Sequence, residues 1–453
     1  MGAPQVNQLL ADLTGLYVSA GYIAARPYLV SPPADGHSLD VFIEEGFVEA
    51  IELDDPSLPV SLASAFGELM GEPLQLRLLE RGLDQINRLQ AFDVTADIEP
   101  GESPGGSRLL IRSKGRKPRG AMTLLLDNRG SSSTGQARAT LSAGLDSPLE
   151  LNDQLTLAMM RSYTEGPGES QSLGLSYAIP WGAWTLGAAA SRFDYASEAR
   201  TPTGQVRFEG KAQLLGLNLD RTLWRSRQGI LGGSLRLNRK GFENLTDRAR
   251  PTNQNPRYDT AEVALNFTWL DAANWGLAIG YVEGLGGWGA DDGHPIKDPR
   301  SAEGRFHKWR LNANQTRPLA VGPLRSLWVS QVAGQYSKDP LPSPERMSLT
   351  SDGGVRGFRN RLLTAERGVT WSNALLFPFA LTPSLTAAPR LGLDLGWADA
   401  TYKQQGQRLA GVNAGIAFSF HSLQMDLEYQ RSVYLQRDGR EPAFWRLDFR
   451  VPL

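Results

Sequence analysis

The chain has 453 residues, with 47 lysines and arginines against 48 aspartates and glutamates and a formal net charge of −1. That balance carries no basic footprint for nucleic acid, and the lack of cysteine excludes disulfides and thiolate metal sites. No apolar run is long enough for a transmembrane helix. Mean hydropathy of −0.31 looks soluble, yet a β-barrel gives such a value when every second residue faces a wet lumen. Met1-Gly2-Ala3-Pro4 does not resemble a signal peptide, so a leader is expected to have been removed or to be missing.

Val6, Leu9, Leu10, Leu13, Leu16 and Tyr17 recur at helical spacing, with Gly21 as a stop. Strand-like segments follow over Tyr22–Leu29 and Ser38–Glu44. A fuller unit comes next. Phe47–Leu53 reads as a strand, Pro59–Met70 as a helix closed by Gly71, and Leu79, Leu83, Ile86 and Leu89 as one face of a second helix. Phe92, Val94, Ala96 and Ile98 alternate along a strand, and Ser107–Ser113 is the last. The order β-α-α-β-β fits a small α/β domain of several purposes. It resembles a POTRA domain, the periplasmic module of the Omp85 superfamily. The preceding α-β-β resembles the last part of another such module. An isolated two-stranded sheet is marginal, which supports a missing beginning.

From about residue 120 the helical period disappears. About 334 residues over sixteen strands leave roughly 21 for each strand and its connection, which suits a tilted membrane strand. In the last strand Trp445, Leu447, Phe449, Val451 and Leu453 oppose Arg446, Asp448 and Arg450. Ala261, Val263, Leu265, Phe267 and Trp269 oppose Glu262, Asn266 and Thr268 in another. A soluble sandwich also alternates. Two features favour a membrane barrel. Short connections (Ile179–Ala183, Leu270–Asn274, His421–Ser422) take turns with longer ones (Asp194–Gln205, Lys240–Asp259, Leu285–Phe306, Lys338–Leu362, Ala398–Leu409). The chain also ends on an alternating strand, which closure would pair with the first, near Met122–Asn128. The candidate pore lining is Arg236, Lys308, Arg310, Arg390, Arg446 and Arg450.

The longest non-periodic insert carries Asp352-Gly353-Gly354-Val355-Arg356-Gly357-Phe358. Its glycines permit a tight fold-back that presents Arg356 on a narrow tip. An arginine there needs an acidic partner once it leaves water. The best candidate is Asp394, within Gly392-Leu393-Asp394-Leu395-Gly396 on the polar face of a strand. The four histidines, His37, His294, His307 and His421, form no HExxH or similar pattern, and no catalytic or metal-ligating set is read.

Val355-Arg356-Gly357-Phe358 matches the VRG(F/Y) motif of the TpsB transporters of two-partner secretion, an Omp85 branch. Gly392, Asp394 and Gly396 match that family's (F/G)xDxG motif on the thirteenth strand. Either pattern alone is weak; in this order they are specific, and the resemblance spans nearly the whole chain. Asp127-Asn128, Pro148–Asp153 and Ile179–Trp184 are further family-like pieces. The resemblance implies a 16-stranded transmembrane β-barrel preceded by α/β POTRA-type domains. Its expected boundaries are the end of a first POTRA domain at 1–46, a second at 47–117, and the barrel at 118–453, with the sixth loop (about 339–361) folded inward and Arg356 paired with Asp394. It implies an outer-membrane pore, with POTRA domains in the periplasm, that exports an unfolded TpsA-type exoprotein. No nucleic acid and no cofactor are expected, outer-membrane lipid surrounds the barrel, and the transporter acts as a monomer. Leu79, Leu83, Ile86, Phe92 and Val94 are the candidate cargo contacts, together with an outer strand at Phe92–Ile98 or Ser107–Ser113. The plug helix and complete first POTRA domain usual in the family are not seen. Insertion of membrane proteins and passive diffusion are the alternatives.

Overall fold

The computed structural model describes residues 3–30, 39–163, 168–201, 204–247, 249, 256–287, 304–322, 324–350, 353–399, 406–436 and 440–453. His37 and His294 lie outside them. The chain divides into two compact units. The first holds residues 1–120 with two turn segments, 144–155 and 178–186; the second holds the rest.

In the first unit, α1 (Ala3–Ser19) precedes β1 (Arg26–Leu29) and β2 (Val41–Glu44), which pair antiparallel. Then come β3 (Phe47–Leu53), α2 (Leu62–Phe66), α3 (Leu76–Asn87), β4 (Phe92–Pro100) and β5 (Gly106–Arg116). The helix expected over Pro59–Met70 is shorter. Ser61 caps its start, its side chain accepting from Ser64 N at 3.1 Å, and the helical run stops before Gly67. Strand β5 lies in the centre of the sheet, parallel to β3 and antiparallel to β4. This corrects the expectation of Ser107–Ser113 as an outer strand: both its edges are already paired.

Leu79, Ile86, Phe92 and Val94 are buried with Val48, Phe66 and Leu109 in the core of this unit, and Leu83 packs against it. The apolar stripe of α3 is therefore spent on the sheet, and these five residues hold the fold instead of facing a partner. The two turn segments are tied into the same unit. Asn152 accepts from Ser61 N at 2.9 Å and donates to Ser61 O at 2.8 Å. Ser64 donates to Pro180 O at 2.7 Å, and Gly182 N donates back to Ser64 O at 2.9 Å.

The barrel strands are β6 (Gly120–Asp127), β7 (Ala137–Asp146), β8 (Gln154–Tyr163), β9 (Glu169–Trp181), β10 (Trp184–Thr201), β11 (Gly204–Arg225), β12 (Gly229–Thr246) and β13 (Arg257–Leu270). They continue as β14 (Asn274–Gly287), β15 (Arg305–Val321), β16 (Leu324–Tyr336), β17 (Gly368–Leu376 and Phe379–Thr382), β18 (Leu385–Ala398), β19 (Gln407–Phe420), β20 (Leu423–Leu435) and β21 (Phe444–Pro452). Both parts of β17 pair with β18, so the closed wall has sixteen strands with one interrupted at Phe377-Pro378. Strand β21 pairs with β6, from Asp448↔Asp127 to Pro452↔Thr123. The Asn128 side chain extends this short seam, donating to Trp445 O at 3.0 Å and accepting from Leu447 N at 2.9 Å.

Leucines 215, 217 and 237 and Val263 on the outer face are 45–59 % exposed, as lipid contact requires. No helix among the described residues is long and apolar enough to cross a membrane. Two expected connections are largely strand. Strand β10 runs through Asp194 to Thr201, and β12 runs past Lys240 to Thr246.

Candidate functional site

The connection between β16 and β17 is the sixth loop on the side away from the short turns. Its limbs meet in a two-residue ladder, Met347↔Ala365 and Ser348↔Thr364. Beyond that ladder Val355 N donates to Leu349 O at 2.9 Å, which closes a compact tip. Val355 and Phe358 are buried with Leu349, Ala365, Ala398, Leu409 and Leu435. The tip is thus packed apolar against the wall on either side of its one guanidinium.

Arg356 and Asp394 meet as the sequence leads one to expect. Arg356 donates from Nε to Asp394 Oδ2 and from Nη2 to Oδ1, each at 2.7 Å, and its backbone N–H reaches Oδ2 at 2.9 Å. Asn373 N adds a fourth donor at 3.3 Å. Asp394 is fully buried, and this fork of donors satisfies both oxygens of its carboxylate. The guanidinium also donates to Asn373 O at 3.1 Å and lies 3.7 Å from Glu428.

Two glycines make the approach possible. Gly357 has φ +97, and a Cβ there would lie 2.4 Å from the Arg431 carbonyl carbon. Gly411, on β19, faces the tip so closely that a Cβ would lie 1.7 Å from Arg356 O. Gly411 was not singled out from the sequence, although a glycine inside an alternating strand is a signal of close backbone approach.

Glu441 was missed as well. It stands in the last loop before β21 and is buried. Its carboxylate accepts from three consecutive backbone N–H groups of the tip's return, Arg359 and Arg361 at 2.9 Å and Asn360 at 3.0 Å. Arg359 donates onward to Asn128 O, beside the closure seam. A cavity of about 480 Å³ lies by the tip, lined among others by Arg129, Arg138, Arg356, Arg359 and Arg446.

The other expected lining residues are charge-balanced. Glu262 lies 3.8 Å from Arg236 and also holds Arg310. Asp426 and Glu428 grip Arg390, and Arg446 lies 3.3 Å from Asp448. Arg450 is exposed near the strand end. Lys308 is only 4 % exposed and lies under the loop, so it does not line an open bore.

Comparison with known proteins follows this geometry closely. The family described as haemolysin secretion/activation protein ShlB/FhaC/HecB matches residues 105–418, and a POTRA domain matches residues 47–100. The chain is 34 % identical to the hemolysin transporter protein ShlB of Serratia marcescens over 95 % of its own length and 76 % of the relative's. It is 31 % identical to the hemolysin transporter protein HpmB of Proteus mirabilis, with the same shares covered. Among solved structures, CdiB from Escherichia coli superposes with a TM-score of 0.90 at 22 % identity, covering all of this chain and 85 % of the other.

Proposed function

The chain belongs to the haemolysin secretion/activation family ShlB/FhaC/HecB, and we propose that its Arg356–Asp394 clasp is the lock that sets the position of the sixth loop during export. The protein is an outer-membrane transporter of the two-partner secretion type. Its β-barrel crosses the outer membrane, its POTRA region is periplasmic, and it secretes a partner protein. Membrane-protein insertion and passive diffusion are not favoured, since the named relatives are hemolysin transporters.

In this reading residues 1–46 are the later part of one POTRA-type module, 47–117 a second, and 118–453 the barrel. The cargo, a TpsA-type exoprotein, arrives unfolded and docks by adding a strand to the outer edge of β4 beyond Val94, whose own N–H and C=O are held by the Asn87 side chain. Backbone hydrogen bonds suit a chain of varied sequence. It then threads the polar bore extended, and its folding outside drives the transfer. One chain suffices, and no cofactor or catalytic residue takes part. The observation that supports the lock is a wholly buried carboxylate whose charge is balanced chiefly by the arginine of a loop tip.

Removing one member strands the other, a loss of about 3–5 kcal/mol. Arg356→Ala should abolish most secretion of the partner while the barrel is still inserted, read as cargo in the medium and folded transporter in the membrane. Asp394→Ala should match it, and the double variant should be no worse than either single change. Normal secretion by Arg356→Ala would sink the lock.

A further inference from the structure

The sixth loop is fastened to the wall in a second place. Its outgoing limb makes one helical turn, Ser343–Glu345. Glu345 is 3 % exposed, and a carboxylate buried that deeply needs partners. Lys240 Nζ lies 2.5 Å from its Oε1 and Lys308 Nζ 2.9 Å from its Oε2. The Tyr258 hydroxyl donates to Oε1 at 2.9 Å. The backbone carbonyl of Glu345 accepts from Lys308 at 2.7 Å and from Gln335 at 3.0 Å. Burial pushes the Glu345 carboxyl up, but the two ammonium groups outweigh it and hold it at about 2.

Around this polar knot Tyr258, Val282, Phe306 and Leu341 bury one another. The two limbs are also tied together: Leu341 N donates to Glu366 at 3.2 Å, and Arg346 lies 3.5 Å from the same carboxylate. Lys240, Tyr258, Lys308 and Gln335 stand on β12, β13, β15 and β16, whereas the tip's partners Asn373, Asp394, Gly411 and Gln430 stand on β17, β18, β19 and β20. The two sets occupy adjoining arcs of the wall and share no side chain.

We propose that Glu345 is a positioning residue for export: with Lys240, Lys308 and Tyr258 it fastens the root of the sixth loop, which stays put as a pivot when the Arg356 tip lets go. The pivot rests on the lock reading above; the root fastening stands on its own contacts. Two fastenings let the tip clear the bore without the whole loop being expelled.

The chain lacks cysteine, so single nitroxide labels can be placed cleanly. Ser343→Cys reports on the root and Asn360→Cys on the tip, both at exposed positions. With the protein in lipid, Glu345→Gln should speed label motion at 343 by about threefold or more and leave 360 unchanged. Arg356→Ala, made and compared in a Glu441→Ala background because Glu441 also holds the backbone at 360, should do the reverse. Since Glu345→Gln takes the balancing charge from Lys240 and Lys308, Glu345→Gln/Lys308→Met is measured beside it and should loosen 343 equally, with the compact gel mobility of a folded barrel retained. No change at 343 in that double variant overturns the root fastening. Loosening of both labels by Arg356→Ala shows a single rigid body and overturns the pivot. A label at 360 that ignores Arg356→Ala overturns the lock, and the pivot with it, and is told apart from failure of the root by the signal at 343.

Discussion

Leu79 in α3 and Leu265 in β13 are the same side chain put to opposite uses. Leu79 is 5 % exposed inside the POTRA region, and Leu265 is 52 % exposed on the barrel wall. In the first unit water drives apolar residues inward, and Arg77 and Asp84 of α3 are left outside. In the barrel the solvent on the outer face is hydrocarbon, so the apolar residues stay out and the charges turn in. Apolar periodicity shows which residues share a face. Only the surroundings decide whether that face is a core.

The largest test of this contrast is in the small unit. Leu79→Ala should destabilise it by about 2–5 kcal/mol, because a cavity opens beside Phe66 and Ile86. Limited proteolysis of the full chain in rising urea would report the loss as earlier cleavage within residues 47–117. Next comes Val263→Arg, on the outer face midway along β13. A cation facing lipid there should cost about 2–4 kcal/mol if the site is near the midplane, read as a lower midpoint for reversible unfolding in bilayers. The same change in a soluble sandwich would be nearly silent, so a silent result would count against lipid on that face.

A smaller effect is expected where the loop meets the wall. Gly411→Ala leaves Arg356 and Asp394 chemically intact but sets a methyl against Arg356 O. Overpacking of this kind costs about 1–3 kcal/mol. Secretion should fall while the barrel remains folded. Unchanged secretion would mean that the tip has room to shift, and that seating, as distinct from charge pairing, is unimportant.

Much of this was legible in the sequence. A run of alternating strands and the closing partner of the last one follow from alternation, the count of sixteen from the family resemblance, and the meeting of Arg356 with Asp394 from two short motifs. What stayed hidden has physical reasons. Residues 194–201 lose the apolar alternation, yet the backbone ladder of β10 continues through them. A strand with polar residues on both faces gives no period. The central place of β5 depends on a parallel pairing with β3 across more than fifty residues, which leaves no local trace. Glu345 and Glu441 are single charges in irregular segments. Nothing in Pro342-Ser343-Pro344-Glu345 announces a carboxylate with two lysines waiting on strands β12 and β15. The side chains expected in α3 and β4 as cargo contacts are packed in the core of the small unit, for the reason that opens this comparison: a helix face that looks available in sequence is already covered.

The smallest predicted effect is also the sharpest. Leu265→Ala removes as many atoms as Leu79→Ala, but from a face already bathed in hydrocarbon. Lipid refills the space, so no cavity remains, and the only loss is the preference of leucine over alanine for the bilayer, about 0.5 kcal/mol. The unfolding midpoint of the barrel in bilayers should therefore barely move. If Leu265→Ala instead cost as much as Leu79→Ala, the outer face of β13 would have to be packed against protein, and the inside-out assignment of this wall would fail at that strand.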